Sequence, residues 1–324
     1  MLISGIAEEV IKMEVSIIIP VYNRAEMVKA TLESVKKQIH RPINLVLVDN
    51  NSTDNTMQVL HDFKEENETS DFTINVIKET TPGVCAARNT GAKMAGGEWL
   101  MFFDSDDTMD DCLVAEYVRK IQECKGDVDV VVTNLDFNKN GHVFHTYFAR
   151  KDFLVNHIFH AGLSTQRYIV RKSVYEQAGE WNETVKCWND WELGIRILLK
   201  NPRVAVLDTG IYVHVTVHDD SITGANYSQN HERREHAITT AITAVEQSEH
   251  EQKKRLLKFL QYRKVLLSGL YKKEGRLDLA HRMWQEVSEE LKNNTFLKCF
   301  YWLMYKYVGW GGRGSQRIVK HLIR

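Results

Sequence analysis

Cysteine pairs, long apolar runs and an excess of either charge are all missing from this 324-residue chain. The five cysteines, Cys85, Cys112, Cys124, Cys187 and Cys299, are odd in number, scattered, and form no C-x-x-C pair. That argues against a disulfide framework and a structural zinc site, and fits a reducing compartment. No run of 18 or more uncharged apolar residues occurs, so no clear transmembrane helix is expected. The opening MLISGIAEEVIKMEVS carries acids within a short apolar stretch and lacks the basic start of a signal peptide. With 42 Lys and Arg against 43 Asp and Glu, nothing in the overall balance calls for nucleic acid. What remains is a folded chain, 43% hydrophobic, long enough for one large core plus an extension. The expected location is the cytoplasm.

The first half alternates between two periods. VSIIIP (15–20) and LVLV (45–48) are short apolar runs that read as strands buried on both faces. Further strands are expected over 73–77, 100–103 and 128–132. Between the first two runs Val28, Leu32, Val35 and Ile39 recur at helical spacing. Asn51-Ser52-Thr53-Asp54 reads as a turn and cap before a helix carrying Val59, Leu60 and Phe63. A third helix is expected over 84–95, ending at Gly96-Gly97. Strand and helix in alternation imply right-handed crossovers and a mostly parallel α/β sheet with helices on both faces. Ligands of such sheets gather at the carboxyl ends of the strands, where Asn23-Arg24, Asp49-Asn50 and Asp104 to Asp107 all lie. The pattern loosens from about 149 to 230 and becomes all-helical from 231, with no internal repeat.

The stretch WLMFFDSDD (99–107) sets three carboxylates at the end of an apolar run, where like charges raise one another's pKa. An EF-hand loop from Asp104 is excluded, because its sixth position is Met109 and its twelfth Ala115. Capping of the following helix suits one of these acids, and Asp107 is left with that role. A hard divalent cation, Mg²⁺ or Mn²⁺, with open positions for phosphate accounts better for the crowding of Asp104, Asp106 and Asp107 as a group.

SIIIPVYNR, LVLVDNNSTDNT and GVCAARNTGAKMAGGEWLMFFDSDD follow one another in this order. Together they resemble the successive signatures of family 2 glycosyltransferases, closely over 14–111 and more weakly to about 225. The resemblance implies a GT-A (Rossmann-like) catalytic domain over 1–230, with a nucleotide-sugar half near 14–111 and an acceptor half near 112–230. Residues 231–324 would form a helical C-terminal extension. It further implies donor contacts at Pro20, Tyr22, Arg24 and Asp49. Family members often carry a second Asp after Asp49; here it is Asn50, whose amide still accepts and donates. Arg88 stands where the family approaches the donor's phosphates or sugar. Asp106 stands at the metal ligand of the D-x-D, and Asp104 nearer ribose or metal-bound water. A cation there would neutralise the charge building on a leaving nucleotide diphosphate.

Inversion by single displacement needs one carboxylate to take the acceptor's proton. In KCWNDWEL the family shows Glu-Asp where this chain has Asn189-Asp190, so the resemblance assigns the base to Asp190, with Glu192 as fallback. Apolar Leu193, Ile195, Ile197 and Leu198 place Asp190 in the first turn of a buried helix. GLSTQRYIVRK and AGEWNE resemble the acceptor-side segment, which nominates Arg171, Trp188 and Trp191 as acceptor contacts, with Trp181 also available for stacking. HVTVHDDSITG resembles a late motif whose histidine approaches the metal or diphosphate; His218 fits it best by spacing and His214 less well.

Gly309 to Gly314 satisfies G-x-G-x-x-G but follows no strand and precedes only ten residues, so no dinucleotide site is expected. Residues 291–324 hold seven Lys or Arg and no acid, interleaved with aromatics, which suits an anionic membrane surface. Packing of this segment on the catalytic domain is the competing expectation. The functional expectation is an inverting, metal-dependent transferase moving a sugar, from a UDP-sugar by the resemblance, to a glycan or lipid-linked acceptor at the inner face of the membrane. Two alternatives stand beside it: a non-catalytic sugar-nucleotide-binding protein, and a nucleotidyltransferase on a similar sheet.

Overall fold

The computed structural model describes residues 13–139, 141–217 and 226–323. The chain runs β1 (Val15–Val21), α1 (Val28–Lys36), β2 (Ile43–Asp49), α2 (Thr56–Asn67), β3 (Phe72–Lys78), α3 (Val84–Met94) and β4 (Trp99–Phe102). It continues through β5 (Thr108–Met109), α4 (Leu113–Glu123), β6 (Val130–Lys139), β7 (His142–Thr146), α5 (Phe153–His160), a 3₁₀ turn at Thr165–Arg167, and β8 (Tyr168–Arg171). Then come α6 (Lys172–Gln177), α7 (Asn189–Leu198), β9 (Val204–Thr216), α8 (His231–Gln247), α9 (Lys253–Lys273), α10 (Leu277–Glu290), α11 (Thr295–Gly309) and α12 (Ser315–Leu322).

Among the described residues nine strands join one sheet in the order β3-β2-β1-β4-β8-β6-β9-β5, with β7 on β6. β1, β2, β3 and β4 are parallel; β8 runs antiparallel to both β4 and β6. The chain leaves β1 toward β2 and β3, then returns to place β4 on the other side of β1. The loops after β1 and β4 therefore diverge from neighbouring strand ends, the place where an open α/β sheet has room for a ligand.

Every residue of β1 and β2 is buried, because helices cover both faces. Val15, Ile17 and Ile19 turn to one face with α1, α2 and α4. Ile18, Val46 and Val48 turn to the other, with α3, α5 and α7. That second cluster is continuous with apolar residues of α8 to α11. The C-terminal helices are thus an extra layer packed on the second face.

Helix α3 lies very close to the sheet. A Cβ on Gly91 would stand 2.4 Å from Cγ2 of Ile18 and 3.1 Å from Cγ2 of Val48, so only hydrogen fits there. Arg88, three residues earlier on α3, takes its height above the sheet from this contact.

The tail packs by half. Leu297, Tyr301, Tyr305 and Val308 of α11 are buried, while Phe296, Trp302, Leu303, Tyr307 and Trp310 are exposed. Among the described residues no helix is long and apolar enough to cross a membrane.

Candidate active site

The loop after β1 is built by the segment after β2. Asn23, at φ +50°, donates its N–H to Oγ of Ser52 at 2.9 Å and accepts the Thr53 N–H at 2.8 Å. Arg24 donates its N–H to Oγ1 of Thr56 at 3.0 Å, and Asp54 accepts from both the N–H and the hydroxyl of Thr56. The polar residues expected to cap α2 brace YNR as well: the α2 N-cap is Asn55, with no side-chain cap bond. So braced, Arg24 reaches across the switch point and donates to Oδ2 of Asp106 at 2.8 Å.

Asp104 is held from two sides. Arg88 donates to its Oδ1 at 2.6 Å, and Gln166 to its Oδ2 at 2.7 Å. The guanidinium of Arg88 also lies 4.2 Å over the Trp181 ring and donates to Oδ1 of Asn189 at 3.3 Å. Burial works against its charge, but Asp104, together with Cys85 and Asp190, outweighs burial and holds its pKa above the ordinary value. Arg88 thereby ties the end of β4 to the first residue of α7.

Asp107 caps no helix, contrary to expectation. It is buried, accepts a hydrogen bond from Gln166, and accepts the N–H of Thr216 at 3.0 Å. Burial first, then the charges of Asp104 and Asp106, push its pKa up to about 8. At neutral pH Asp107 is therefore held as the protonated acid, while Asp104 and Asp106 are each paired with an arginine.

Asp49 is buried at the end of β2. Its Oδ2 accepts the Ser52 N–H at 3.1 Å, while its Oδ1 is sealed from solvent without a partner. An acceptor orphaned in this way awaits a donor. Asn50 is already committed: its amide donates to the carbonyls of Glu79 and Thr81 and accepts the Gly83 N–H. Both donor hydrogens expected for a base contact instead pin the loop that starts α3. Tyr22 is exposed, and Pro20 is buried within β1.

Asp190 stands in the first turn of α7, as its apolar spacing implied. Its Oδ1 accepts the Trp191 N–H at 2.8 Å. Burial raises its pKa, countered by that bond and by Arg88, which leaves a carboxylate of increased basicity. Glu192 does not serve as a fallback base. It is wholly buried and forms a two-pronged pair with Arg196 at 2.7 and 2.8 Å.

Two acceptor expectations fail on geometry. Arg171 pairs in register with Trp99, at the start of β4, and binds the carbonyls of Gly126 and Val128. It therefore sits at the end of the sheet opposite the carboxylates. Trp191 is 1% exposed, and its indole N–H donates to the Ile158 carbonyl, so its ring belongs to the core. Trp181 is buried too, under Arg88. Trp188 is half-buried at φ +57° and packs on Trp191. His218 lies outside the described residues. Both ring nitrogens of His214 are engaged by other acids, with Nδ1 at 3.1 Å from Asp136 and Nε2 at 3.0 Å from Asp110.

Gln166 is the site residue that sequence reasoning missed. Because β8 is antiparallel, the 3₁₀ turn before it returns to the carboxyl end of β4 and delivers Gln166 between Asp104 and Asp107. An uncharged residue within GLSTQRYIVRK carries no local signal of this.

The donors offered by Asp104 and Asp106 are hard carboxylate oxygens, 31% and 22% exposed, side by side at the end of β4. That chemistry fits Mg²⁺ or Mn²⁺. Among the described residues no three His, Cys, Asp or Glu side chains converge on one point, so these offer two carboxylates and not a cage.

Residues 16–178 match the family model described as Glycosyl transferase family 2. Glycosyltransferase GlyG of Streptococcus pneumoniae is similar, with 27% identity over 169 residues, covering 52% of this chain and 51% of that protein. The match thus spans about half the length of this relative. Among solved structures, Staphylococcus aureus TarS 1-349 in complex with UDP-GlcNAc is similar at a TM-score of 0.69 and 19% identity, covering 86% of this chain and 81% of that one. The mannosyltransferase PcManGT of Pyrobaculum calidifontis, in complex with GDP-Man and Mn²⁺, gives 0.58 at 17% identity, covering 95% and 86%. At these identities the likeness is one of fold: a GT-A-like α/β sheet with a helical C-terminal extension.

Proposed function

The chain belongs to glycosyl transferase family 2, and on that premise we propose that it is an inverting transferase using a nucleotide-diphosphate sugar, with UDP-sugars the first candidates. The observation that carries the reading is the Arg88 bridge. One buried guanidinium joins Asp104, at the strand-end acid cluster, to Asn189, next to Asp190. A donor-side carboxylate and a candidate base are thus held on one rigid connection.

In this reading the nucleoside lies over the ends of β1 and β2, with the orphaned Oδ1 of Asp49 accepting from the base. Arg24 and Arg88 face the diphosphate. A divalent cation, when bound, would be held by Asp106 and Asp104 and would neutralise the departing nucleotide diphosphate. Asp190 takes the proton of the acceptor hydroxyl as that oxygen bonds to the anomeric carbon and the bond to the diphosphate breaks. Its burial-raised basicity suits that role. The products are an inverted glycoside and a nucleoside diphosphate.

We further place the enzyme in the cytoplasm at the inner face of an anionic membrane, acting on a glycan or lipid-linked acceptor in surface polysaccharide or glycolipid synthesis. The exposed Phe296, Leu303, Tyr307 and Trp310 of the tail support this, since basic residues and no acids accompany them over 291–324. Removing the tail would strip buried Leu297 and Tyr301 from the core, so point changes are the proper test. Sedimentation with phosphatidylglycerol vesicles should fall in Leu303→Glu/Trp310→Glu; equal binding would refute the contact.

The test of the chemistry is nucleotide product. Wild type with Mn²⁺ and acceptor should release UDP or GDP from a sugar nucleotide. Asp190→Asn should lose transfer and keep donor affinity. Release of pyrophosphate, or transfer by Asp190→Asn near the wild-type rate, would overturn the assignment.

A further inference from the structure

A cavity of about 260 Å³ opens between the start of α7, α9 and the turn joining α11 to α12. Trp188, Tyr227, Arg263, Arg313, Ser315 and Gln316 are among its lining residues, and among the described residues no Asp or Glu lines it. Arg263 of α9 is the unusual member. Its guanidinium lies 4.7 Å over the Trp188 ring and 5.6 Å over the Trp191 ring. Its Nε is sealed from solvent with no hydrogen-bond partner. Among the described residues the rest of the group makes no hydrogen bond and no ion pair either.

Neighbouring Arg234 shows what a purely structural arginine does here. It is also buried near Trp188, at 5.8 Å, yet donates to the carbonyls of Asn226 and Tyr227. Arg263 has the aromatic contacts without the acceptors. Burial lowers its pKa to about 10, with only Tyr227 acting the other way. The positive field extends beyond it: burial, then Lys320, Arg263 and Arg317, depress the pKa of His160. Among the described residues, then, a half-buried cation with no acceptor opens into a cavity without acids, an arrangement that favours an anion.

We propose that this cavity is an oxyanion subsite for the acceptor: Arg263 takes a phosphate or carboxylate group in a forked hydrogen bond, Arg313 attracts it at the rim, and Trp188 packs on the attached sugar. A planar guanidinium matches such an anion at two oxygens, and the half-buried Trp188 ring lines the same cavity beside it. The link to acceptor rests on the glycosyltransferase reading, because Trp188 is the N-cap of α7 and precedes Asp190 by two residues. An acceptor gripped here is anchored on the helix that carries the base.

The test titrates the full chain with inorganic phosphate, glucose 1-phosphate and glucuronate at constant ionic strength, with neutral glucose as control, following tryptophan fluorescence. Wild type should bind at least one anion saturably and glucose no more than a tenth as well. Arg263→Gln and the exposed Arg313→Ala should each weaken that anion at least tenfold, while UDP binding stays within twofold. Phosphate and glucose 1-phosphate binding without glucuronate identifies a phosphorylated acceptor; glucuronate binding identifies an acidic sugar. Absence of saturable binding by wild type, or equal binding by Arg313→Ala and Arg263→Gln, overturns the subsite. Should Arg263→Gln fail to fold, Arg313→Ala decides alone. A wild type that binds the anion but no sugar nucleotide would instead overturn the glycosyltransferase reading and leave the anion site standing.

Discussion

Replacing Gly91 by alanine should damage the reaction far more than the fold. The added Cβ would stand 2.4 Å from Cγ2 of Ile18, against about 3.5–4 Å for relaxed carbon contact, so α3 must rise by about 1 Å. Ile18 is a wholly buried residue of central strand β1 and has nowhere to retreat. Overpacking of this kind costs about 1–3 kcal/mol. Alanine returns about 1 kcal/mol as the better helix former. The net loss is therefore about 0–2 kcal/mol, at most a few degrees in melting temperature for a chain of this size. Arg88 rides on the same helix one turn earlier, and its 2.6 Å bond to Asp104 does not survive such a displacement. A misplacement of about 1 Å at a reacting site can cost on the order of 10²-fold in rate. Calorimetric melting with steady-state nucleotide release measures both quantities. Ile18→Ala removes the obstructing methyl, so the double variant should recover turnover relative to Gly91→Ala. Wild-type turnover in Gly91→Ala, or additive losses in the double variant, would refute the reasoning.

Three other expectations address separate parts of the molecule. His157 is buried as the neutral ring, donating from Nε2 to the Trp191 carbonyl and accepting the Leu163 N–H, and burial lowers its pKa to about 4. The unfolded chain takes this proton near pH 6.5 and the folded chain only near 4, so stability should fall by ~3 kcal/mol as pH drops through that window. His157→Gln should flatten the slope in urea titrations, and an unchanged slope would refute the assignment. Gln166→Leu leaves Asp104 and Asp107 without their shared donor and should weaken nucleotide binding about tenfold and stability by about 1–3 kcal/mol; calorimetric titration with UDP and Mn²⁺ checks it. Glu192→Gln strands the Arg196 guanidinium and should cost about 3 kcal/mol of stability while the surviving folded enzyme turns over normally, which active-site titration against specific rate would decide.

Much of the fold was legible because its signals are local. Strands buried on both faces must be largely apolar, and β1, β2 and β4 are, with buried Ser16 donating to Asn44 between β1 and β2. Helices with one buried stripe must repeat at 3.6 residues, and α1 and α2 do. The clustering of Arg24, Asp49 and Asp104 to Asp107 at strand ends followed from the parallel crossovers alone. Side-chain partners were another matter. That Asn50 has no amide hydrogen left for a ligand, or that Glu192 is consumed by Arg196, depends on which residues arrive opposite it.

Sequence by itself determined the alternation, the family, the strand-end acids and the position of Asp190 in a first turn, since each is written within a few residues of chain. Strand direction is not written there. Nothing in YIVR says that β8 runs antiparallel, yet that direction sends Arg171 to the far end of the sheet and brings Gln166 to the carboxylates. Tertiary structure likewise decided that one arginine, Arg88, spans donor-side acid and candidate base, and that another, Arg263, is left without an acceptor. Both outcomes depend on contacts between residues far apart in the chain. Such contacts are set by how the helices pack on the sheet, which no local pattern encodes.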